Sequence, residues 1–139
     1  MNSQENELTL SQDTQLKKYQ KKAAKFDRAK FKELLINAMS KAKNNKHVKR
    51  AFDEIKAMIQ MIALSLSGKS NFKLTAKETA IIAGALLYFV VPIDLIPDFL
   101  GAIGYTDDVS LLFYAFKQVA GAYDRYKSVK EVEVDVESI

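Results

Sequence analysis

The chain has 139 residues, enough for one domain with a modest core, and its 48% hydrophobic and 27% charged residues describe an ordinary globular protein, neither disordered nor fibrous. It has no cysteine, which excludes disulfides, thiolate metal sites and cysteine nucleophiles. The net charge of +4 conceals an asymmetry: residues 1–73 carry sixteen Lys/Arg against seven Asp/Glu, whereas residues 74–139 carry five against ten. A basic first half could face phosphate or anionic lipid, while the plainer expectation is that the two halves fold together and partly neutralise each other.

The opening stretch MNSQENELTLSQ lacks the charged and then apolar regions of a secretory signal. It reads as a flexible segment over residues 1–12 of a cytoplasmic, non-secreted protein. Next, Leu16, Tyr19, Ala23 and Phe26 recur at spacings of three and four. Lys17, Lys18, Lys21, Lys22 and Lys25 lie on the other side, which makes this a basic amphipathic helix. Those five lysines are the candidate contacts for lipid headgroups or phosphate. The apolar set Phe31, Leu34, Leu35, Ala38 and Met39 is out of phase with the first, so either the helix bends near Asp27 or a new one is capped there. KNNK at residues 43–46 breaks it.

A cleaner stripe follows: Val48, Phe52, Ile55, Ile59, Ile62 and Leu66. It ends at SGKSN, residues 67–71, where Gly68, Lys69 and Ser70 mimic the end of a phosphate-binding loop. The mimicry fails because Ala63 stands where that loop needs glycine and a helix precedes it, so the segment reads as a helix stop with glycine on its C-terminal side. Thr75 and Glu78 then form a capping box that starts a helix. From Thr79 to Ile93 no residue is charged, which predicts a central helix buried on every side. Shallow membrane insertion is the rival reading; a full span needs about twenty apolar residues, and Pro92 and Asp94 intervene.

Tyr88 to Asp108 is the most unusual stretch, with four aspartates in an otherwise apolar segment and no basic residue between Lys77 and Lys117. Pro97 is tolerated in the first turn of a helix, so Asp94 reads as an N-cap and Gly101 as a stop, forming a short helical corner. Gly104 permits the next reversal, and Thr106 or Asp107 caps a last long helix from about Asp107 to Tyr126. Its stripe is Val109, Leu112, Phe113, Phe116, Val119, Ala120 and Tyr123. Capping explains Asp98 and Asp108 least. The functional alternative is a hard-cation site for magnesium or calcium at Asp94, Asp98, Asp107 and Asp108, the ligand type such ions prefer. The spacing matches no regular ligand motif, and no cofactor is otherwise expected. The ending SVKEVEVDVESI alternates valine with acid and reads as an acidic flexible tail over residues 128–139, or as a strand for a partner's sheet edge. His47, the single histidine, sits in a basic stretch and reads as surface. No catalytic triad is legible, and the aromatic residues follow core stripes rather than a base-stacking platform.

Residues 85–112 resemble the signature of the YkvA-like family, small bacterial domains of unknown function. The matching positions are Tyr88, Pro92, Asp94, Leu95, Ile96, Pro97, Asp98, Gly104, Tyr105, Asp107 and Asp108, with Gly101 standing where members commonly have proline. The resemblance implies a helical fold and a membrane association, and it brings no activity and no catalytic residue. The expectation is thus an all-α, compact bundle of about four to five helices over residues 13–127, with the capped corner between the central and final helices. Its role reads as noncatalytic, with an anionic membrane surface or another protein as partner rather than nucleic acid.

Overall fold

The computed structural model describes residues 3–90, 108–129 and 133–139, and for residues 3–9, 11, 47 and 108 it describes the backbone alone. Within them the chain is all-α. The helices are α1 (Ser3–Ala23), α2 (Arg28–Asn44), α3 (Phe52–Ser67), α4 (Ala76–Val90), α5 (Asp108–Gln118) and α6 (Ala120–Ser128), with 3-10 helices at Lys46–Ala51 and Val136–Ser138. Pro92, Asp94, Pro97 and the expected helical corner lie outside the described residues.

Local chemistry sets the boundaries. Of the two readings near Asp27, the structure adopts the cap: Lys30 N–H donates to Asp27 Oδ1 at 2.9 Å, and Asp27 has extended backbone. Phe26, just before the cap, meets Phe31 edge to face with centroids 5.8 Å apart. This apolar clasp across a helix start fixes the angle at which α1 turns into α2. Helix α3 stops at Gly68, whose φ of 71° is the left-handed conformation that glycine adopts without a Cβ penalty. At the start of α4 the capping box is reciprocal: Glu78 N–H donates to Thr75 Oγ1 at 3.1 Å and Thr75 N–H donates to Glu78 Oε1 at 2.9 Å.

Helix α4 is the centre of the bundle. Ile81, Ile82, Ala83, Gly84, Ala85, Leu86, Tyr88 and Phe89 are all buried, on more than one face of the helix. The reason is that α1, α2, α3 and α5 all pack against it, which is why its uncharged stretch needs no polar side. Each large side chain removed from water contributes about 2 kcal/mol before entropy is subtracted. Helix α1 lies closest: a Cβ built on Gly84 would stand 2.9 Å from the Gln20 backbone nitrogen and 2.9 Å from Gln20 Cγ. Leu16, Tyr19 and Ala23 are buried there as their spacing predicts, and the α1 lysines are left outside.

Two expectations about the last helix are corrected. The last long helix is two, because at Val119 the backbone departs to φ −109°, ψ 25° and its N–H is shared between Ala115 O at 3.2 Å and Phe116 O at 3.1 Å. In its stripe Leu111 is buried while Phe113 is 36% exposed, since the buried face runs through Val109, Leu112, Ala115, Val119 and Ala122, with α5 packed on α4 and α3 and the helix after it on α3. At the ends, α1 is helical from Ser3, and the acidic tail is tied down. The period-two alternation turns Val134 inward, where it is buried and hydrogen-bonded through both backbone groups to Gln60, while Glu133 and Asp135 stay exposed.

Gly84→Ala is expected to force α1 away from α4, because the added methyl meets backbone that cannot rotate aside. A loss of about 1–3 kcal/mol, the usual cost of overpacking a core, should appear in denaturant unfolding. The same substitution at Gly121, where an added Cβ meets nothing within 4 Å, should not destabilise.

Candidate functional site

Most of the aspartate and proline segment falls outside the described residues: Pro92, Asp94, Pro97, Asp98, Gly104, Tyr105 and Asp107. Asp108 opens α5, described in backbone alone. Among the described residues no group of three or more His, Asp or Glu side chains is placed to hold a metal ion, and the side chains of the four aspartates in question are not described.

Two described contacts hold the end of α4 from which that segment departs. Tyr88 meets Tyr19 of α1 edge to face, with centroids 5.3 Å apart. On the opposite flank Lys41, in the last turns of α2, donates from Nζ to the Phe89 carbonyl, and its ammonium lies 4.8 Å from the Phe89 ring centroid. A cation beside a carbonyl toward the C-terminal end of a helix complements the helix dipole. Sequence reasoning missed Lys41. Its signal is weak: a lysine near the end of one helix does not reveal which other helix it caps.

The other end of α4 carries Glu78, whose cationic partner is not its sequence neighbour Lys77 but one that the fold brings from far along the chain. Arg125 of α6 donates from Nη2 to Glu78 Oε1 at 2.6 Å and from Nη1 to Oε2 at 3.2 Å, a forked pair across 47 positions of sequence. The same guanidinium reaches the Lys73 carbonyl at 3.4 Å. The Arg125 hydrogen bond, opposed by burial and assisted by Thr75, holds the Glu78 carboxyl below its ordinary value. At the start of α3, Glu54 Oε2 is buried with no hydrogen-bond donor among the described residues, and the first-turn dipole is what favours an acid there.

The lysine face is described in full. Lys17, Lys18, Lys21, Lys22 and Lys25 are all exposed, and Arg28 and Lys30 extend the face into the first turn of α2. Lys17 pairs with Asp13 at 3.0 Å, one turn back on the same helix. Lys18, Lys21, Lys22 and Lys25 form no ion pair with any described acid. Lys18 and Lys22 stand 5.9 and 5.1 Å from the Tyr19 centroid, so this ring links the cationic face to Tyr88. Of the four ion pairs among the described residues only Lys56–Glu133, at 3.5 Å, joins the basic half to the acidic half. Among the described residues, the expected mutual neutralisation does not reach Lys18, Lys21, Lys22 and Lys25.

Among the described residues the perturbed carboxyl and phenols are not poised for proton transfer. Burial, with Asp13 at 3.3 Å from its hydroxyl, pushes Tyr114 above its ordinary value of 10.0. Burial and then the charge of Glu133 do the same to Tyr126. A carboxyl pushed down and two phenols pushed up all move away from neutrality, the opposite of what general acid–base work needs.

Residues 78–114 match the family model described as protein of unknown function (DUF1232), in keeping with the YkvA-like resemblance. No curated protein matches the chain, and no solved structure does. The matched region opens at Glu78 and closes at Tyr114 in α5, so Arg125, which holds its first residue, lies beyond it.

Arg125→Gln should lower Tm at pH 7 by removing the partner of an ionised acid. The folded-state pKa of Glu78 is depressed, so the pair stabilises above the unfolded value near 4.5 and that stability is lost as pH falls through the folded value. The gap in Tm between wild type and variant is accordingly expected to be constant from pH 7 to 5 and to close on further acidification, as followed by circular dichroism melts.

Proposed function

We propose that this chain, whose residues 78–114 match the family model of proteins of unknown function (DUF1232), is a noncatalytic module that docks on an anionic membrane surface through the lysine face of the α1–α2 corner. The observation that carries this reading is the run of exposed lysines, Lys18, Lys21, Lys22 and Lys25, with no described acid paired to them. The apolar side of α1 is already spent on α4, with Leu16, Tyr19 and Ala23 buried. Attachment is then through charge, without the insertion that a free amphipathic helix performs. No described helix is long and apolar enough to cross a membrane, and α4 is enclosed by four other helices. Electrostatic docking of this kind weakens with salt, because the screening length is about 8 Å at physiological ionic strength.

Sedimentation with vesicles tests it. The chain should pellet with phosphatidylserine-containing vesicles at low salt, release at about 0.5 M salt, and ignore pure phosphatidylcholine. Changing Lys18, Lys21, Lys22 and Lys25 together to Gln should weaken binding roughly a hundredfold or more, since each cation near such a surface is worth about 1 kcal/mol. Binding that is indifferent to salt, or absent, removes the proposal.

A second reading rests on the sequence between Lys77 and Lys117, where Asp94, Asp98, Asp107 and Asp108 have no neighbouring base: a magnesium or calcium site. Either ion at a hundred times its dissociation constant would then add about 2.7 kcal/mol of stability, and Asp94→Asn would abolish the gain. A melting temperature unmoved by both ions disposes of it.

A further inference from the structure

Helix α3 is apolar at Ile55, Met58, Ile59, Met61, Ile62, Ala63 and Leu64, yet Gln60 in its middle is 5% exposed, the one buried polar side chain among the described residues. Both ends of its amide are spent on a single residue of the C-terminal segment. Gln60 Nε2 donates to the Val134 carbonyl at 2.9 Å, and Val134 N–H donates to Gln60 Oε1 at 2.8 Å. A primary amide presents a donor and an acceptor side by side, the same pair that an extended peptide bonds to in a sheet. One turn back on the same helix, Lys56 lies 3.5 Å from Glu133, and the Val134 side chain is buried in the core. Val136 and Ile139 are half-buried against it. Backbone pairing, an apolar seat and a cation beside the seat are the components of a peptide-recognition site.

We infer that the α3 face bearing Lys56 and Gln60 is a binding site for an extended peptide of another protein in which an aliphatic residue is flanked by acids, and that the chain's own segment Glu133–Val136 occupies it in cis. The class of ligand is read from the resident segment: Glu133, Val134 and Asp135 supply acid, aliphatic and acid. Gln60 binds Val134 only through its backbone, so the hydrogen bonds do not require this particular sequence, while the buried seat and Lys56 select shape and charge. An internal competitor acts at the high effective concentration of a tethered ligand, so the site is held closed until a partner outcompetes it.

The test uses the full chain and a fluorescein-labelled peptide of residues 131–137, followed by anisotropy. Val134→Asp places a charge in the apolar seat and should unseat the resident segment, so this variant is expected to bind the peptide at least about tenfold tighter than wild type, a difference well within what the assay separates. Adding Gln60→Leu, which keeps the apolar volume but removes both hydrogen-bonding groups, should abolish binding, and a peptide with aspartate at its central valine should not bind. If Val134→Asp loses its helical circular dichroism, Val134→Gly replaces it. Equal binding by wild type and the unseated variant overturns the inference, as does no binding by either or indifference to Gln60. A wild-type dimer in sedimentation that Val134→Asp converts to monomer also overturns it, because the occupant is then the tail of a second copy.

Discussion

The contact of Gln20 with Gly84 is the constraint from which the rest of the molecule follows. Because residue 84 has no side chain, the backbone of α1 can lie against α4 at a distance that a single methyl would forbid. That approach encloses the uncharged length of α4 and consumes the apolar stripe of α1. Everything cationic on α1 must then point outward, and Tyr19 is brought against Tyr88 at the entrance to the signature segment. The basic surface and the family segment are thus joined by one helix contact.

Charge is distributed in a way that composition alone obscures. The two halves differ strongly in sign, but among the described residues they meet in one exposed ion pair, Lys56–Glu133. The acid best held is Glu78, whose partner Arg125 comes from its own, acidic half. A fold that spends its cations on its acids would leave a quiet surface. Here Lys18, Lys21, Lys22 and Lys25 have no ion pair among the described residues, while Lys41 and Arg125 engage opposite ends of α4.

Much of this architecture was legible in the residues because its signals are local. Asp27 caps the helix that follows it, Gly68 stops α3, and Thr75 with Glu78 starts α4, each by hydrogen bonds or a backbone angle within a few positions. The α1 stripe was equally readable, since burial follows helical spacing when one face meets the core; in α3 every residue from Met58 to Leu64 is buried, Phe52 and Leu66 of the expected stripe are half-buried, and Val48 falls in the preceding 3-10 helix. Phe113 and Leu111 show the limit: both are apolar, adjacent residues suit more than one stripe, and only the position of α4 decides which goes inside. The division at Val119 and the docking of Val134 were not legible, the first because no proline or capping residue marks it, the second because Gln60 looks like any helix glutamine.

By itself the sequence determined the class of the fold, the helix boundaries marked by Asp27, Gly68 and the Thr75–Glu78 capping box, the lysine face, and the unusual aspartate segment, all properties of neighbours along the chain. Tertiary structure alone decided the partners of Glu78, Lys41 and Gln60, which lie 47, 48 and 74 positions away. Hydrogen bonds and ion pairs require atoms within about 3 Å of each other, and at such separations in sequence it is the packing of α1 to α6 around α4, and no local propensity, that brings those atoms together.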